Sequence, residues 1–166
     1  MKNIILTTAL VCMISHSPMF GQNNTIAAFS NLVGGVWVFE GRQLAGHEGR
    51  TEYHFESGLD GEIVKLKLYS TDPKTLEFGL RNEGIRAWNA ADSLVHFYEF
   101  DKYGNISTGI VTSNKNDIHY DYEYQGTMLR DSWEYIDTDT YMLTVGIWDS
   151  VEWRVKLYQA KFVREK

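Results

Sequence analysis

Along most of this chain apolar and polar side chains alternate, one residue in and one residue out. In Ile118-His119-Tyr120-Asp121-Tyr122-Glu123-Tyr124 the alternation is unbroken. A strand there carries Ile118, Tyr120, Tyr122 and Tyr124 on one face and His119, Asp121 and Glu123 on the other. Thr51, Tyr53 and Phe55 oppose Glu52, His54 and Glu56 in the same way, and Val64, Leu66 and Leu68 oppose Lys65 and Lys67. Strands are expected at 35–43, 50–57, 62–70, 76–90 (in one or two pieces), 94–100, 105–113, 117–124, 127–137, 141–148 and 152–163. Turn formers cut these runs at Asp60-Gly61, Ala91-Asp92, Tyr103-Gly104, Gln125-Gly126 and Asp149-Ser150. A helical period appears only at 25–33, where Ile26, Phe29, Leu32 and Val33 recur at helical spacing.

Loops this short make sequential strands antiparallel, and a meander of about ten hairpins buries its apolar face and loses its edges most economically by closing on itself. The expected fold is all-β: a single antiparallel up-and-down barrel of about 8–10 strands, spanning 23–166, with a short N-terminal helix closing one end. A sandwich is the alternative, but it needs long crossover connections, and the chain has none after Asp72-Pro73. Whether the inner aromatic set lines an open cavity or fills the barrel is left open by the pattern. The candidate wall residues are Phe39, Tyr53, Phe55, Tyr120 and Tyr122. His96 joins them because it shares a face with Leu94, Tyr98 and Phe100. Glu99 shares the opposite face with Val95 and Phe97, and reads either as an inward carboxylate near one rim or as a strand end turning polar.

The first 22 residues read differently. Lys2 supplies a positive charge, residues 4–14 are apolar, and a polar tail follows through Gly21-Gln22. That order is a signal peptide's, and the run is too short for the ~20 residues of a membrane span. Residues 1–22 are therefore expected to direct export to the periplasm or the exterior. Cys12, the only cysteine, would leave with them, so disulfides would have no part in the mature fold.

Composition narrows the function. The chain has 166 residues, 43% hydrophobic and 14% aromatic, with 2 prolines, which suits one globular domain. The formal charge is −6, and losing Lys2 makes it one unit more negative. Without a basic tract, nucleic acid is excluded as a partner class. No catalytic residues are assigned: there is no G-x-S-x-G, no mature cysteine and no phosphate-cradling glycine loop. No metal site is assigned either. H-E-x-x-H is absent, and His47-Glu48 and His54-x-Glu56 are equally explained by a solvated face. The acidic stretches 117–123 and 131–139 lack calcium-loop spacing and are expected on outer faces.

Gly35-Val36-Trp37, behind a short helical turn and ahead of a β-meander, resembles the opening of the lipocalin-like (calycin) barrels. The stretch from Ile85-Arg86-Ala87-Trp88 to Asp101-Lys102-Tyr103-Gly104 resembles uncharacterised secreted bacterial barrel proteins. The resemblance implies that Trp37 and Arg164 are structural partners, with the arginine packed across the indole, and that a small apolar molecule is the ligand. The related nitrobindin-like barrels hold haem through a histidine in the late strands, but here every histidine precedes residue 120. No cofactor is therefore expected, and His96 would be the haem ligand if there were one.

Three functions follow as expectations: an exported binding protein for a small hydrophobic ligand; an adhesion or assembly module whose surface aromatics, such as Trp148 and Trp153, contact a protein or polysaccharide; and a barrel-pocket enzyme of the isomerase or hydrolase kind, marked by a polar pair in the pocket.

Overall fold

A computed structural model of the protein describes residues 23–42, 46 and 48–166. The expected leader, with Cys12, and His47 lie outside the described residues. Ten antiparallel strands form one closed barrel: β1 (Val36–Arg42), β2 (Glu48–Gly58), β3 (Ile63–Thr71), β4 (Phe78–Asn89), β5 (Leu94–Asp101), β6 (Ile106–Asn114), β7 (Asp117–Tyr124), β8 (Thr127–Asp137), β9 (Thr140–Trp148) and β10 (Trp153–Arg164). Each strand pairs with its sequence neighbour, and β1 pairs with β10 to close the ring. The 76–90 stretch is one strand, β4. Tight turns fix the register; at Gln125-Gly126 both residues have positive φ (51° and 78°), the backbone twist that matches a two-residue hairpin to its strands.

Closure is short. Trp37 faces Arg164 and Val38 faces Val163, and the Glu165 amide donates to the Val36 carbonyl at 2.8 Å. The helix α1 (Asn23–Ala28) and the 3-10 turn Phe29–Asn31 cover this end of the barrel. Phe29 and Leu32 are fully buried there, with the Phe29 ring 6.1 Å from Phe55 and 6.3 Å from Tyr120. Trp37, Phe55, Ile118, Trp133, Tyr141 and Phe162 complete a dense aromatic core.

Trp37 is pinned from three sides. Its indole N–H donates to the Leu32 carbonyl at 2.9 Å, its ring meets Tyr141 edge-on at 5.1 Å, and the Arg164 guanidinium lies 4.6 Å above it. Arg164 also donates to the Asn31 carbonyl and pairs with Asp139 at 3.5 Å. Gly35 is a glycine because of this packing: a Cβ there would come within 2.6 Å of the Arg164 guanidinium. One stack thus joins the first strand, the last strand and the helical cover.

Candidate functional site

Only the helix-covered end is filled. Toward the other end the strands enclose a cavity of about 420 Å³, a volume ordinary for small-molecule sites. Its walls are built by alternation: each strand sends every second side chain inward. Tyr53 and Phe55 come from β2, Leu66 and Leu68 from β3, Phe97 from β5, Tyr120 and Tyr122 from β7, Trp133 from β8, and Tyr158 and Phe162 from β10. The lining runs out to the exposed Tyr124 and to Pro73 in the β3–β4 loop, which marks the mouth.

The same alternation brings charged groups into this apolar chamber. Arg86 of β4 is 3% exposed and donates to Glu99 at 2.7 Å through Nη2 and to the Tyr120 hydroxyl at 3.2 Å through Nε. Its guanidinium also lies 5.1 Å from the Tyr120 ring centroid and 5.7 Å from that of Phe97. Asn82 donates to the second Glu99 oxygen at 2.9 Å, so both oxygens of that carboxylate are satisfied. Arg86 Nη1 is buried without a partner, and it lies against Gly84, where a Cβ would come within 3.0 Å of it.

Asp131 is the third charged side chain in the wall. It projects from β8 beside Tyr120 of β7, and the Tyr122 hydroxyl donates to its Oδ1 at 2.9 Å. Among the described residues this is its one hydrogen-bond partner. Burial pushes the Asp131 carboxyl up to about 7; the Tyr122 hydrogen bond and Arg86 pull it down and Glu99 pushes it further up. Burial likewise raises the Tyr53, Tyr120 and Tyr122 hydroxyls, and takes Tyr158 to about 12, so these phenols stay neutral and able to donate.

Asp72 holds the mouth. Buried at the start of the β3–β4 loop, it accepts from the Lys74 and Thr75 amides at 2.8 and 3.2 Å and from Lys102 at 2.9 Å, with Arg81 at 3.3 Å. The Lys102 hydrogen bond, then those two amides, hold its carboxyl well below the usual range.

The residues named from the sequence fall in several places. Tyr53, Phe55, Tyr120 and Tyr122 line the cavity. Phe39 stands one layer behind it, packed against Tyr158 at 6.2 Å and Phe162 at 5.8 Å. His96 must be corrected: it sits on the outer face, bonded to Asp92 at 2.6 Å, while Val95, Phe97 and Glu99 point in. Because 94–100 is apolar on both faces, alternation could not say which set turns inward. Glu99 is the inward carboxylate of the two readings offered for it. Asp131 is a second correction, since the acidic stretch 131–139 was expected outside. Asp131 shares a face with Trp133, a period-two signal that would have placed it inside. In the sequence Arg86 stands out only as part of the Ile85-Arg86-Ala87-Trp88 stretch and not as a site residue; its partners come from β5 and β7.

The remaining candidates are on the outside. His54 donates or accepts with Glu52 at 2.8 Å, and Glu52 is held by Arg50 at 2.5 Å. Among the described residues no three His, Asp, Glu or Cys side chains converge as a metal site. Trp148 and Trp153 pack edge-on at 5.3 Å, and Arg130 lies 5.1 Å over Trp148. No described helix is long and apolar enough to cross a membrane.

Compared with protein-family models the chain matches none, and no curated protein matches it in sequence. The lipocalin-like resemblance therefore rests on Gly35, Trp37, Arg164 and the barrel layout.

Proposed function

We propose that this is an exported binding protein that holds a small, largely apolar and aromatic molecule inside its barrel. The observation that carries the reading is the half-filled interior: a chamber of about 420 Å³ walled by aromatic rings, with a few polar groups converging on it. Apolar walls supply affinity through buried area, and sparse polar groups orient the ligand. A filled barrel would have favoured the adhesion reading; here the two surface tryptophans pack on each other and on Arg130. Export belongs to the same proposal and rests on the 1–22 pattern.

A second reading has a specific observation behind it. A carboxyl held near 7 in an aromatic-walled pocket is suited to general-base chemistry at neutral pH. In that case the polar set of Asp131, Tyr122, Arg86 and Glu99 would work on a bound substrate.

Native mass spectrometry of the full chain purified from its own compartment tests both. A small molecule near one-to-one stoichiometry, recovered unchanged after incubation with excess ligand, supports the carrier. Conversion of that molecule supports the enzyme, and a clean apo mass with no uptake of an aromatic probe overturns both.

A further inference from the structure

With both carboxyls ionised, the charges in the chamber do not balance. Among the described residues the charged side chains that line it are Arg86, Glu99 and Asp131, one cation against two carboxylates. Arg86 is committed to Glu99 at 2.7 Å and Tyr120 at 3.2 Å, and Glu99 has both oxygens filled. Among the described residues Asp131 is left with one phenol as hydrogen-bond partner and no ion pair of its own, Arg86 acting on it only from a distance. Every other titratable group facing it is a neutral donor or already paired: Tyr120 and Tyr122 from β7, Tyr53 from β2, Tyr158 from β10, Arg86 from β4 and Glu99 from β5. On its β9 side it pairs with Val145.

Resting on the binding reading above, we infer that the barrel's ligand carries a basic nitrogen, and that its ammonium group pairs with Asp131 among the aromatic rings.

Three features of the chamber support this. An anionic ligand would put a third negative charge beside two carboxylates, and the unpaired Arg86 Nη1 is buried, with no surface left to meet it. An ammonium instead matches two cations to two carboxylates, which low-dielectric interiors require of buried charge. The rings already hold one cation: Arg86 lies over Tyr120 and Phe97. Tyr53, Phe55, Tyr122 and Trp133 line the same chamber as Asp131 and supply further aromatic rings for a second.

Linkage then sets the pH dependence. With the Asp131 carboxyl near 7, an ammonium has to displace its proton below that pH, so affinity should fall about tenfold per pH unit there and level off above it. A carboxylate ligand would show the reverse slope, and an alcohol little slope.

The test is calorimetric titration of the full chain with three matched probes, naphthylmethylamine, naphthylmethanol and naphthoate, between about pH 5.5 and pH 8.5, on either side of that carboxyl. The expected result is that the amine binds at least about tenfold tighter than the other two at the alkaline end, with the slope just described. Asp131→Asn should erase this preference while naphthylmethanol binding is kept; should that variant not fold, the wild-type pH profile alone decides. Tighter binding of naphthylmethanol or naphthoate, or a pH-independent amine affinity, overturns the ammonium assignment and leaves the cavity-binding reading standing. No binding by any of the three overturns both.

Discussion

Arg86 and Glu99 form an ion pair at 2.7 Å between adjacent strands β4 and β5 with both side chains inside the barrel. Breaking such a pair on one side strands a buried charge, whereas replacing both partners removes the problem. Arg86→Met should cost about 3–5 kcal/mol in urea unfolding, and Arg86→Met with Glu99→Leu should recover much of that. Equal losses for the single and double variants would show that packing around the arginine, and not its charge, is what matters.

The Trp37 stack makes a graded prediction. Trp37→Ala should destabilise by roughly 3–5 kcal/mol, because the indole is fully buried and bonded at the covered end. Arg164→Ala should cost about 0.5–2 kcal/mol for the lost cation–π contact. Gly35→Ala should cost roughly 1–3 kcal/mol by driving a methyl into that guanidinium. A Trp37→Ala loss below about 1 kcal/mol would remove the stack as the clasp between first and last strands.

Asp131 should give the empty protein a stability that falls as pH rises. Its folded carboxyl titrates at about 7, above the ordinary 3.8, so between those values the folded state binds the extra proton. Stability from this group is full below about pH 4 and is lost on the way up through 7, a total of order a few kcal/mol at about 1.36 kcal/mol per unit. Urea midpoints at about pH 5 and pH 8 should differ in that direction for the wild type and much less for Asp131→Asn. A wild-type midpoint that rises with pH, with the variant unchanged, would count against a neutral, half-buried Asp131.

At the mouth the sign reverses. Asp72 has its carboxyl depressed by the Lys102 hydrogen bond and the Lys74 and Thr75 amides, so its contribution is present above the ordinary carboxyl pKa and disappears as pH falls through the lower folded value. Acid should loosen the β3–β4 loop before the helix-covered end. Hydrogen exchange corrected for intrinsic rate should show amides 74–77 losing protection first on acidification, and Asp72→Asn should bring that loss to neutral pH. Uniform protection around the barrel at low pH would contradict this.

Much of the fold was legible because the strands carry their own instruction. At 117–124 and 127–137 the expected bounds coincide with β7 and β8, since alternation begins and ends at turn formers there. The inner face of β2, Thr51 with Tyr53 and Phe55, was equally plain, as a strand polar on one side has only one way to turn. Strand β5 was not, because Leu94, Tyr98 and Phe100 compete with Val95 and Phe97 on hydrophobicity alone. The exposure of Phe100 (51%) and burial of Phe97 (4%) were decided by neighbours.

What the sequence determined by itself was local: period-two alternation, short turns and a single helical stretch are enough for an antiparallel meander, because each is written in residues a few positions apart. The tertiary structure decided where the meander is full and where it is hollow, and which charges share the hollow. Arg86 with Glu99 and Tyr122 with Asp131 are pairs between neighbouring strands, but the Arg86–Tyr120 contact from β4 to β7, and the burial that raises the Asp131 carboxyl, belong to the closed barrel.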